Sequence, residues 1–198
     1  MTRPFEKDVA AHLRGLAEVA ERVASELAGE IAEIAGRVVD AAERDATLFF
    51  CGNGGSAADA QHLATEYVVR FRRNRRALRA IALTTDTSLL TAAANDFGFR
   101  EIFARQVAAL GRSGDLLFLH STSGDSENLI EAARAARIAG VTTIALLARG
   151  GGALRPEVDV ALVLPTDVGA HAQEVQMAIG HVICDVVERR VAEEASDS

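Results

Sequence analysis

The 198-residue sequence has no tryptophan, one tyrosine, three prolines and two cysteines, and only 5% of its residues are aromatic. With so few rings, its core has to be built from Leu, Val, Ile and Ala, as in helix-rich α/β chains. Cys51 and Cys184 lie far apart and form no CxxC pair, so they read as reduced thiols rather than a disulfide framework. No apolar run reaches the length of a membrane span, and the N-terminus "MTRPFEKDVAAHL" lacks the apolar segment of a secretion signal. These absences predict a cytoplasmic protein with no membrane partner. A formal net charge of −7 argues against nucleic acid as a partner.

What is present is 49% hydrophobic and 25% charged, the mix of one globular domain able to bury a full core. Residues 1–45 carry an apolar seam at near-heptad spacing: Val9, Leu13, Leu16, Ala20, Val23 and Leu27, then Ile31, Ile34 and Val38. Gly29 is expected to divide it into two helices. The seam predicts a helical extension that packs on the domain body or on another subunit.

From residue 46 the pattern changes. Short apolar runs at 46–50, 79–83, 115–120, 141–148 and 158–165 read as strands. Helical stretches at about 56–71, 86–110 (broken near Gly98) and 126–139 separate them. A last helix is expected over 171–192, and a frayed tail over 193–198. Uninterrupted apolar strands alternating with helices predict a doubly wound α/β domain, 46–192, around a parallel sheet of five strands.

Two loops follow strand ends and open helices: "GNGGS", Gly52 to Ser56, and "STSGDS", Ser121 to Ser126. Unpaired helix amides and the helix dipole make such places anion sites. Four hydroxyls in the second loop favour phosphate over simple helix capping. Neither loop has a Walker lysine or GxGxxG spacing, so no nucleotide or redox cofactor is expected.

His62 and Glu66 stand one turn apart on the helix that "GGS" opens, and Gln173, Glu174 and His181 form a polar set in the last helix. Such donors suit zinc or another divalent metal, and the carboxylate suits a general base. Gln173 and His181 differ by about 12 Å of helical rise, so spacing alone does not assign one metal site. Six arginines between Arg70 and Arg79 read first as a solvated loop or a set of ion pairs. Nucleic-acid binding, or a reach by Arg70 or Arg72 to a neighbouring subunit's phosphate, are the alternatives.

At these residues the sequence resembles the sugar isomerase (SIS) family, and within it the phosphoheptose isomerases. The segments that carry the likeness are "CGNGGSAADAQHLATEYVVRF", "IALTTDTSLLTAAANDFGF", "FARQVAALGRSGDLLFLHSTSGDSENLI" and "QEVQMAIGHVICDVVE". The resemblance implies a flavodoxin-like sheet and interconversion of sedoheptulose 7-phosphate and glycero-manno-heptose 7-phosphate through an enediol. It implies phosphate contacts from Ser121, Thr122, Ser123 and Ser126. The sugar site would be lined by Asn53, Gly54, Gly55, Ser56, Asn95, Asp96 and Gln173. It further implies zinc on His62, Glu66, Gln173 and His181, with Glu66 also the catalytic base, contacting substrate, and His181 its acid–base partner. A homotetramer with sites at subunit contacts is implied as well. The competing expectation is a non-catalytic sugar-phosphate-binding regulator, or a partner of replication-initiator proteins. Four positions depart from the family pattern: Asp125 stands where Asn is usual, His120 where a small or apolar residue is, Gln176 where His is frequent, and Ala77 where Pro is common. A carboxylate at 125 is tolerable beside phosphate only if it points away or caps the helix, and His120 is placed to touch substrate.

Overall fold

The computed structural model describes residues 4–196, with side chains described through residue 192. Two helices carry the N-terminal seam, α1 (Glu6–Glu26) and α2 (Ala28–Glu43). The break falls at Leu27 and not at Gly29, which lies inside the first turn of α2. Leu27 leaves helical geometry with φ −120° and ψ 1°, so a leucine that caps through its backbone ends α1 without a glycine.

The sheet comprises β1 (Leu48–Gly52), β2 (Ala80–Ala82), β3 (Leu116–His120), β4 (Thr142–Leu147) and β5 (Val160–Val163). All pairs are parallel, in the order β2-β1-β3-β4-β5. This is the expected flavodoxin-like winding, and its strand order reverses between β1 and β3. Between the strands run α3 (Gly55–Val68), α4 (Thr87–Phe97), a 3-10 turn at Phe99–Glu101, α5 (Ala104–Leu110) and α6 (Glu127–Ala139). Glycine at position 98, φ 92°, makes the expected break. A glycine-rich 3-10 segment over Arg149–Glu157, which the apolar pattern did not reveal, links β4 to β5.

The last helix, α7 (Gly169–Ser196), carries on through four positions where fraying was expected; residues 197–198 of that tail lie outside the described residues. No described helix is long and apolar enough to cross a membrane.

Alternation along the strands splits the core into two layers. Leu48, Phe50, Leu116, Phe118, Ile144 and Leu146 face α2, α3 and α7, while Phe49, Cys51, Leu117, Leu119, Ala145 and Leu147 face α5 and α6. Phe50 and Phe118 stack with centroids 5.0 Å apart. Cys51 and Cys184 are buried and free, and burial pushes the Cys184 thiol up to about 12. The N-terminal half of α1 is different: its first buried residue is Val19, and Phe5, Val9 and Leu13 stand exposed. Within one chain the seam is fully buried only from Val19 onward, with Leu16 half-buried against the core.

Candidate functional site

In an open parallel sheet the ligand crevice opens beyond the carboxyl ends of the strands, where the order reverses. Here that place is the end of β1 and β3, and both polar loops emerge from it. Gly54, with φ 57° and ψ −121°, precedes α3 in a conformation only glycine adopts readily. Across the crevice, Asn53 and Asn128 exchange two amide hydrogen bonds, of 2.9 and 2.8 Å. This reciprocal pair joins the first loop to the first turn of α6. Asn128 is 2% exposed. Nothing in its sequence neighbourhood singles it out, because its partner lies 75 residues away.

In the second loop, Ser121 Oγ accepts from the Gly124 amide at 2.9 Å, so its hydroxyl shapes the turn. Ser123 Oγ accepts from the Asp125 amide at 3.3 Å. Ser126 occupies the N-cap of α6 without a side-chain capping bond. Among the described residues the hydroxyls of Thr122 and Ser126 make no hydrogen bond, which leaves them available to an anion. Asp125 turns outward: its Oδ1 accepts from the Ala153 amide at 3.0 Å, in the glycine-rich segment. The carboxylate is thereby aimed away from the loop interior.

His120 does not line the crevice. It is 0% exposed, sits on the α3–α7 side of the sheet near Phe50, and burial pushes its pKa down to about 4. Neither ring nitrogen has a partner. The expectation that it touches substrate is therefore not met, because residue 120 is still part of β3 and its side chain alternates inward. Gln176 is equally buried, and its amide donates to Leu146 O at 2.8 Å and Ser121 O at 3.4 Å, fastening α7 beneath the hydroxyl loop.

The principal cluster forms between α3 and α7. His62 Nε2 lies 3.0 Å from His181 Nε2 and 3.2 Å from Glu66 Oε1. One donor atom from each of the three falls within 4.8 Å of the others. Two ligands held at about 2.0–2.1 Å with tetrahedral angles lie about 3.3 Å apart, so the donor set fits a divalent metal. Close approach of the helices makes the convergence possible: a Cβ at Gly180 would stand 2.5 Å from Leu63 Cδ2. Phe71 stacks on the His181 ring at 5.0 Å and 16°. Burial first, and then the neighbouring His62, hold the His181 imidazole below its ordinary pKa, so it is neutral at pH 7.

Gln173 is placed elsewhere. Its amide lies against Gly55 at the start of α3, beside Asp59. Gln173, Gly55 and Asp59 line an open groove of about 550 Å³ with Glu174 and Met177. Asp59 went unnoticed in the sequence, although Asp59, His62 and Glu66 follow the i, i+3, i+7 spacing of one helical face. Burial raises its pKa, and its Oδ2 is buried without a partner. Asn95 and Asp96 lie exposed on the last turn of α4, hydrogen bonded to each other at 2.8 Å. Among the described residues no bond joins them to the cluster.

The arginine-rich loop is held by this chain's own groups. Arg75 pairs with Glu188 at 3.2 Å, both side chains 1% exposed, and donates to Glu66 O and Tyr67 O at the end of α3. Glu188 also accepts the amides of Phe71, Arg72 and Arg73 at 2.6–2.9 Å. Arg73 pairs with Asp185 at 2.7 Å. Arg76 pairs with Asp45 at 3.5 Å. These bonds set Phe71 against His181.

A family profile described as SIS domain matches residues 11–148. The phosphoheptose isomerase of Roseiflexus sp. (strain RS-1) is 51% identical over 177 residues, covering 89% of this chain and 90% of that protein. A phosphoheptose isomerase structure from Francisella tularensis superposes with a TM-score of 0.91 at 36% identity, covering 96% and 100% of the two chains. That of GmhA from Neisseria gonorrhoeae gives 0.87 at 39% identity, covering 93% and 99%.

Proposed function

The chain belongs to the SIS domain family, and on that premise we propose that it is a sugar-phosphate isomerase that converts sedoheptulose 7-phosphate to D-glycero-D-manno-heptose 7-phosphate. The observation that carries this reading is the meeting of Glu66 with two imidazoles, one from α3 and one from α7. A pure binding module has no use for a base beside a neutral acid–base partner, so this geometry favours the enzyme over the regulator.

The phosphate docks at the Ser121–Ser126 loop, where the Thr122 and Ser126 hydroxyls and the α6 amides receive it. Asn53, held by Asn128, and the Gly54–Gly55 backbone bound the sugar on the other side. Glu66 takes the proton from C1 of the open-chain ketose, and the electron pair moves to give the enediol. The same carboxyl returns that proton to C2. Neutral His181 carries a proton between the two oxygens, so that O2 gains the hydrogen that O1 loses. Zinc or a similar divalent ion held by His62, Glu66 and His181 would supply Lewis-acid polarisation of the carbonyl. Gln173 serves the substrate side of the groove and would join that set only by leaving Asp59.

Exposed Phe5, Val9 and Leu13, together with the apolar groove bordered by Ala24, Ala28, Ala32 and Val182, offer a packing surface to further copies of the chain. A homotetramer with sites at subunit contacts would also give Asn95 and Asp96 a substrate to meet. Two buried free thiols fit a reducing, cytoplasmic setting.

The test follows aldose formation from sedoheptulose 7-phosphate in D2O, with deuterium appearing at C2 of the product. Glu66→Gln is expected to lower turnover by roughly 10²–10⁴-fold with sugar-phosphate binding retained. An active Glu66→Gln protein would overturn the assignment of the base.

A further inference from the structure

A second cluster lies at the other end of the α7 polar face. His171 and Glu174 are one turn apart on α7, and His12 comes from α1. One donor atom from each lies within 4.8 Å of the others. His12 Nε2 stands 3.6 Å from Glu174 Oε1. The two imidazoles meet edge to face with centroids 4.5 Å apart. His171 is 7% exposed, and its buried Nε2 has no hydrogen-bond partner. The ring fits because α1 carries Gly15 there: a Cβ at that position would lie 2.7 Å from His171 Cε1.

We infer that His12, His171 and Glu174 form a second divalent-metal site, of the zinc class, which clamps the N-terminal half of α1 onto α7. Two imidazoles and a carboxylate are the donor set of an open tetrahedral zinc site. The i, i+3 spacing of His171 and Glu174 projects both from one face of α7. His12 and Glu174 keep about half of their side-chain surface in solvent, which leaves the fourth position to water. A His12–Glu174 ion pair alone leaves the buried His171 nitrogen unsatisfied; a shared cation satisfies all three. The clamp also falls where α1 needs one. Upstream of Val19 no described residue of α1 is buried, so apolar packing does little to hold that half of the helix. The site is separate from the His62–Glu66–His181 cluster, because Glu174 and His181 differ by about 10 Å of helical rise.

The test counts zinc bound by the whole protein, by equilibrium dialysis against zinc alone, in the unaltered chain and in His12→Ala, Glu174→Gln and His62→Ala. His12 and Glu174 are exposed, so their replacement leaves the fold intact. Two ions per chain are expected in the unaltered protein and one in each variant. Zinc is expected to slow proteolytic cleavage within residues 6–15 several-fold, and to lose that effect in His12→Ala but not in His62→Ala. A single ion lost only with His12→Ala and Glu174→Gln would support the clamp and count against metal at the catalytic cluster. Two ions retained by His12→Ala, no zinc uptake, or a single ion lost only with His62→Ala, would overturn the clamp.

Discussion

The Nε2 atoms of His62 and His181 lie 3.0 Å apart although 119 residues separate them in the chain. That contact requires α3 and α7 to approach closely, and the approach depends on a missing side chain at Gly180. Glycine inside a helix costs about 1 kcal/mol relative to alanine. The helix tolerates this cost where a methyl group would push Leu63, and with it the face of α3, away from His181.

Gly180→Ala is accordingly expected to destabilise the protein by about 1–3 kcal/mol through overpacking, despite the better helix propensity of alanine. Turnover should fall more than substrate affinity, because the substitution separates His181 from His62 without touching the hydroxyl loop. Urea denaturation together with kcat and KM checks this; a more stable variant of unchanged kcat would show that the contact with Leu63 does not set the helix spacing.

Asn128→Ala leaves the Asn53 amide without its partner in a part-buried place. The expected cost is about 1–3 kcal/mol in stability. The loss should appear in KM for the sugar phosphate, raised on the order of tenfold, the equivalent of about 1.4 kcal/mol. Asn128→Asp should behave worse than alanine, since a carboxylate offers Asn53 no donor and adds charge next to the phosphate loop.

Glu188 carries a pH dependence. Although burial acts to raise its pKa, three backbone amides and Arg75 hold it below the usual carboxylate value. A carboxyl with a depressed folded-state pKa adds stability above its unfolded value, about 4.3. That stability is lost as pH falls through the folded-state value. Glu188→Gln should cost roughly 3–5 kcal/mol at pH 7, because it leaves Arg75 buried and unpaired. Acidification below about pH 4.3 should then destabilise the variant less than the unaltered protein. Parallel acid-unfolding curves measure the difference.

Asp125→Asn keeps an oxygen for the Ala153 amide and removes a negative charge at the rim of the phosphate loop. Affinity for the sugar phosphate should rise by a small factor at low salt and return toward that of the unaltered protein at high salt, since exposed charges are screened. Asp125→Ala, which loses the bond at 3.0 Å, should instead loosen the glycine-rich segment and raise KM. Inhibition by inorganic phosphate at two ionic strengths distinguishes the two effects.

Period and punctuation in the sequence were enough for the architecture. Five apolar runs bounded by helices predicted the parallel sheet, and the strand ends fall within a few residues of where hydrophobicity placed them. The hydroxyl loop and the His62–Glu66 face were also legible, because each is a local pattern governed by helix geometry. Residues whose partners are distant were not. Asn128, Asp59, Arg75 and Glu188 look like ordinary polar positions until folding sets them against Asn53, Gln173 and the amides of the arginine loop. His120 was misjudged for the same reason: adjacency in sequence to the loop suggested contact with substrate, while strand alternation turns the ring into the core.

By itself, then, the sequence determined the main helices and strands, the doubly wound parallel class and the chemistry available at the strand ends, since these follow from short-range periodicity and backbone preference. Tertiary structure alone decided which of those groups meet. His181 reaches His62 and Gln173 stays with Asp59 because α7 crosses α3 at one register, and that register is set by packing around Leu63 and Gly180, interactions between residues too far apart in the chain for any local pattern to encode.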